Sequence, residues 1–134
     1  MAMRAALIVT LMLVFAAPGP ALSQNAAAGR EVFAQCRACH QVGPTARNMV
    51  GPRLNGLFGR RAASIEGFNY STAFRALDKV WDERNLAEFL KDPQGVTPGT
   101  RMAFRMRGAD ADARIADLIA YLRQFGPDGQ PPPN

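Results

Sequence analysis

The chain has 134 residues, with 16 Lys and Arg against 11 Asp and Glu, two cysteines and one histidine. That inventory excludes a four-ligand Cys/His zinc centre, an iron held by two histidines and a second thiol-attached cofactor. The length suits one small domain, and the positive balance suits acidic protein partners, since nothing in the chain resembles a module that reads nucleic-acid bases.

The first predicted element is a targeting segment. Arg4 supplies a charged start, Ala5 to Ala17 is apolar, Pro18-Gly19-Pro20 breaks the run, and Ala21-Leu22-Ser23 offers small residues for cleavage before Gln24. The apolar run falls short of the ~20 residues a spanning helix needs. Residues 1–23 are therefore expected to be a signal peptide cleaved near Ser23/Gln24, and 24–134 a single exported domain.

A first helix is predicted over 26–38 with Asn25 as N-cap, followed by a loop-rich passage from Gly43 to Gly59. Ser71 caps a short helix through Ala76. Asp82 caps a longer one from Glu83 to Lys91, stopped before Pro93. Asp110 opens the best helix, in which Ile115, Leu118, Ile119 and Leu122 recur at i, i+3, i+4 and i+7. Gly126-Pro127 ends it, and the chain from about 127 reads as a flexible tail. No strand alternation appears. The fold class is all-α: three main helices, short helices and long Gly/Pro loops, too little secondary structure to enclose a core unaided.

Cys36-Arg37-Ala38-Cys39-His40 holds both cysteines and the only histidine. C-x-x-C-H is the attachment signature of c-type haem: two thiols roughly one helical turn apart can each form a thioether, and the histidine becomes an axial ligand. A Cys36–Cys39 disulfide is the rival in an exported chain, and His40 directly after Cys39 weighs against it. Iron closed on its other side needs a second donor. With no other histidine, the candidates after the leader are Met49, Met102 and Met106. A haem at the centre would also supply the apolar volume that the helices lack.

Several segments then point one way. Pro98-Gly99-Thr100-Arg101-Met102-Ala103-Phe104 is similar to the methionine-ligand loop of mitochondrial-type class I cytochromes c, and Gly51-Pro52-Arg53-Leu54-Asn55-Gly56-Leu57-Phe58-Gly59-Arg60 resembles that family's loop after the haem motif. Gly67-Phe68-Asn69-Tyr70-Ser71 and Val80-Trp81 follow in the same order, so the likeness covers Ala27 to Phe125. The resemblance implies one haem c, covalent through Cys36 and Cys39, with His40 and Met102 as iron ligands. It implies that the Pro52 carbonyl accepts a hydrogen bond from His40, and that Arg60, Tyr70, Ser71, Trp81 and Thr100 bind or neutralise the haem propionates. Gly29 and Phe33 match positions where the first helix crosses the last, near Leu118 and Tyr121. Two residues depart from the family pattern: Phe89 stands where most relatives carry a tyrosine, and Phe74 where many carry an asparagine.

Two function classes compete. A periplasmic electron carrier needs a closed iron, an exposed haem edge and a docking surface; Arg37, Arg47, Arg53, Arg101, Arg105 and Arg107 lie close in sequence to the two ligand segments. The resemblance implies a monomer that takes electrons from a quinol-oxidising complex (quinol:cytochrome c oxidoreductase) and passes them to a terminal oxidase or photosynthetic reaction centre, with no small-molecule substrate. A peroxidase-type enzyme needs an open iron and a distal acid–base group, and no acid lies between Gln94 and Gly108. A haem subunit of a periplasmic dehydrogenase keeps the chemistry and changes the partner; a permanent partner would favour an apolar patch over scattered arginines.

Overall fold

The computed structural model describes residues 24–131, so the leader lies outside the described residues. Five helices follow in order: α1 (Ala26–Phe33), α2 (Thr72–Arg75), α3 (Glu83–Lys91), α4 (Pro93–Val96) and α5 (Ala111–Leu122). Among the described residues there is no strand, only an isolated antiparallel bridge between Arg61 and Val80. The all-helical expectation holds.

Local chemistry accounts for most of the helix starts. The Asn25 side chain accepts from the N–H groups of Ala27 and Ala28 at 3.0 and 3.2 Å. Ser71 Oγ accepts from Phe74 N–H at 3.2 Å. At α3 the Asp82 carboxylate accepts from Asn85 N–H, while the Asn85 side chain accepts from Asp82 N–H, a reciprocal capping box. Each cap meets amides that the first turn leaves without partners.

Four sequence expectations need correction. The first helix stops at Phe33 rather than Ala38. The next amides, Gln35 and Cys36, bond back three residues to Val32 and Phe33 instead of four, so the chain tightens into successive turns that deliver Cys36 and Cys39. Asp110 precedes α5 without capping it, because its backbone is not extended (φ −93°, ψ 5°); its carboxylate pairs with Arg114 at 3.8 Å instead. Pro93 does not merely stop α3: it occupies the first position of α4, where a missing N–H costs nothing. Residues 126–130, expected to begin a flexible tail at about 127, instead fold back on the domain. Gly126 N–H donates to Gln130 O at 2.7 Å, and Gly129 is buried against Gly43 and Asn55.

The core forms where α1 crosses α5. Phe33 meets Tyr121 with ring centroids 5.4 Å apart, and Ile115, Leu118, Ile119 and Leu122 of α5 pack with Leu86, Phe89 and Leu90 of α3. Gly29 makes the crossing possible, since a Cβ there would overlap the backbone carbonyl of Asp117 and the Tyr121 side chain. A backbone obstacle cannot rotate away. Gly29→Ala is therefore expected to cost about 3 kcal/mol, at the upper end of ordinary overpacking, despite the ~1 kcal/mol that alanine gains over glycine in a helix. A chemical-denaturation midpoint equal to the parent's would show that the helices do not meet this closely.

Candidate functional site

All ten residues singled out from the sequence, Cys36, Cys39, His40, Pro52, Arg60, Tyr70, Ser71, Trp81, Thr100 and Met102, line one cavity of about 460 Å³. That is within the range that takes a drug-sized ligand or cofactor. The turns after α1 bring Cys36 and Cys39 to it, and both are unbridged. Burial, with Cys39 adding to it, pushes the Cys36 thiol up to about 11, so it stays protonated at neutral pH.

His40 is fixed by two neighbours. Its Nδ1–H donates to the Pro52 carbonyl at 2.7 Å, which leaves Nε2 as the nitrogen with a free lone pair. Burial lowers its pKa, the Pro52 bond works against that, and Arg60 adds to the lowering; the imidazole is thus kept neutral and able to ligate. Gly51 lies against the ring so closely that a Cβ there would run into it. Its own N–H donates to Cys39 O at 2.8 Å. Gly51 is thus a further site residue, and the Gly51-Pro52 pair is its signal in the sequence.

The methionines separate cleanly. Met102 lines the cavity. Met106 is 3% exposed and packs in the core, its N–H bonded to Leu90 O at 2.8 Å, and it is not part of the lining. Met49 is 45% exposed and is also outside the lining.

Polar groups enter the cavity in a small set. The strand-like pairing of 59–62 with 79–81 (Trp81 N–H to Arg60 O, 2.9 Å; Gly59 N–H to Trp81 O, 2.8 Å) sets Arg60 and Trp81 side by side. Arg60 Nη1 donates to Asn55 O at 2.6 Å, while its buried Nε has no partner. Asn55, missed as a support in the sequence, is itself buried and exchanges two 2.9 Å hydrogen bonds with Gly43. Tyr70 Oη accepts from Ile65 N–H at 3.3 Å. Burial raises its pKa, the Ile65 bond and then Arg60 and Arg53 opposing, and its phenol proton remains to donate. Ser71 caps α2, and Thr100 Oγ1 accepts from Met102 N–H at 3.3 Å.

The remaining wall is apolar. Phe74 stacks on Tyr70 (5.8 Å between centroids) and meets Phe89 edge-on (5.7 Å), which in turn meets Trp81 (5.5 Å). The two departures from the family pattern, Phe74 and Phe89, thus touch each other and continue one aromatic surface. A flat apolar cofactor with acidic substituents fits this lining. It would cover the aromatic wall, and it would give the orphaned Arg60 Nε, a donor costly to bury alone, an acceptor.

The family profile described as Cytochrome c matches residues 26–126. The chain belongs to the cytochrome c family. It is 46% identical over 123 residues to cytochrome c2 of Blastochloris viridis, covering 92% of this chain and 95% of that protein. It is 52% identical over 104 residues to cytochrome c-554 of Methylosinus trichosporium, covering 78% and 77%. Among solved structures, cytochrome c2 from Rhodospirillum centenum superposes with a TM-score of 0.68 at 34% identity, covering 77% of this chain and 99% of that one. The fold is that of a small class I cytochrome c, and the cofactor is one haem c held covalently through Cys36 and Cys39.

Proposed function

We propose that this cytochrome is a one-electron carrier whose haem iron is ligated by His40 Nε2 and the Met102 sulfur. The bound haem supplies the reversible ferrous–ferric couple. The chain's residues hold it, keep water away from it and set its potential. The Pro52 carbonyl fixes the His40 tautomer; Arg60, Tyr70, Ser71, Trp81 and Thr100 receive the propionates, with Arg60 Nε as a donor that has no protein partner. The aromatic wall of Tyr70, Phe74, Trp81 and Phe89 disfavours the additional positive charge of ferric iron, as an apolar shell does.

One observation carries the carrier reading over an enzyme. The cavity brings His40 and Met102 together, and among the residues that line it there is no carboxylate and no second imidazole. The one imidazole is already engaged by Pro52, so neither a free imidazole nor a carboxylate stands in the cavity to relay protons to a bound substrate.

Docking falls to the rim. Val50, 78% exposed, Arg101 and Ala103 are the exposed lining residues beside Gln35. Arg37, Arg47, Arg53, Arg101 and Arg107 enter no ion pair among the described residues. A small apolar spot with Arg101 on the rim, on a chain that carries further arginines outside any ion pair, suits brief encounters with acidic redox partners, of the quinol-oxidising, terminal-oxidase or reaction-centre class. Residues 1–23 would direct the chain to the periplasm and be removed.

Anaerobic redox titration with optical spectra is the test. A single reversible one-electron step between two six-coordinate low-spin states is expected. High-spin iron in either state, or turnover of peroxide, would overturn the reading.

A further inference from the structure

The Met102 segment is held by a side chain that does not line the cavity. Gln94, at the second position of α4, presents its carboxamide to the turn before Met102. Its Nε2 donates to Thr100 O at 2.7 Å, and its Oε1 accepts from Gly99 N–H at 3.3 Å. Both ends of one amide group are thus spent on two consecutive residues. The next link is Thr100 Oγ1, which accepts from Met102 N–H at 3.3 Å, while Thr100 N–H bonds to Thr97 O at 3.0 Å. On the other side of the segment the Arg101 guanidinium donates to the Asn69 carbonyl, 32 positions away in sequence.

We propose that Gln94 is a positioning residue for the axial methionine: its two-point clip holds the 99–102 turn closed and thereby sets how often the Met102 sulfur leaves the iron. The proposal rests on Met102 being the ligand. Its physical basis is the composition of the clip. α4 is only four residues long and too short to be stable alone, so it draws rigidity from the adjoining α3, against which it packs. The carboxamide is the direct side-chain connection from that short helix to the ligand turn. Alanine at 94 removes both hydrogen bonds, one to exposed Gly99 and one to the carbonyl of Thr100, a residue only 7% exposed, but deletes no core packing because Gln94 is itself exposed. Its effect therefore falls on the population of the open loop rather than on folding.

An added ligand that needs the methionine site reports that population directly. Its apparent affinity equals its intrinsic affinity multiplied by the open fraction. In the ferric holoprotein at neutral pH, Gln94→Ala is expected to raise the affinity for free imidazole by about fivefold, for the loss of one part-buried and one exposed hydrogen bond of modest net strength, with the iron–sulfur charge-transfer band lost at correspondingly lower imidazole. Gln94→Glu keeps an acceptor for Gly99 N–H and cannot donate to Thr100 O, so it should fail to restore the parent affinity. Asn25→Ala is the comparison: it removes the cap of α1, lowers the melting temperature and should leave imidazole affinity unchanged. A rise of about threefold or more in Gln94→Ala, absent from Asn25→Ala, supports the clip; a smaller rise, or an equal one in Asn25→Ala, overturns it. The ligand assignment fails separately and visibly, by absence of the iron–sulfur band from the unsubstituted protein.

Discussion

The Cys36→Ser/Cys39→Ser chain, prepared without haem, is expected to be unfolded at neutral pH and 25 °C. The magnitude follows from the cavity. About 460 Å³ at ~24 cal/mol per Å³ comes to roughly 11 kcal/mol of lost packing if the walls stay in place. A small domain has only about 5–15 kcal/mol of stability in all. Partial collapse of Leu54, Phe68 and Phe104 inward would recover part of that loss, but only by giving up the arrangement that makes the cavity. Local structure offers no refuge, since the longest helix among the described residues, α5, has 12 residues and isolated helices of that length are marginal in water. Orphaned Arg60 Nε adds a buried donor with no acceptor. Far-UV circular dichroism should show little helix and no cooperative melt. A sharp two-state transition with near-native helicity would mean that the protein core is self-sufficient and that the cavity argument is wrong.

The same interdependence explains what the sequence revealed. Haem attachment was legible because its chemistry demands particular residues at fixed spacing: two thiols and an imidazole in Cys36 to His40. The starts of α1, α2 and α3 were legible because Asn25, Ser71 and Asp82 carry the side-chain acceptor that a first turn lacks. The end of α1 was not. Gln35, Cys36, Arg37 and Ala38 include no breaker, and nothing in their residue types marks the switch from four-residue to three-residue hydrogen bonds after Phe33. α4 was hidden for the opposite reason, because a proline after Asp92 reads as a stop and here begins a helix. Gln94, Asn55 and Gly51 act through backbone atoms of distant or neighbouring loops, and no spacing rule announces that. The closed C-terminal turn depends on Gly129 finding Gly43 and Asn55, a contact between segments more than 70 positions apart.

Substituting the two buried or half-buried methionines should give opposite phenotypes, and this is the sharpest test of the ligand assignment. Met102→Ala removes the only methionine sulfur that lines the cavity with His40, the two cysteine sulfurs there being committed to the haem thioethers. The iron–sulfur band should vanish and exogenous ligands should bind freely. The reduction potential should fall by on the order of a hundred millivolts, because thioether ligation favours ferrous iron and axial ligands together span about 0.8 V. Met106→Ala deletes a side chain packed in the core and should cost about 2–5 kcal/mol of stability, as buried truncations do. Its spectrum and potential should stay near those of the parent, since Met106 is tied to Leu90 O through its backbone N–H, which alanine retains. Stability and potential thus move in different variants. If Met106→Ala loses the band while Met102→Ala keeps it, the segment must be threaded differently over the iron, and the Gln94 clip would then be holding a turn that carries no ligand.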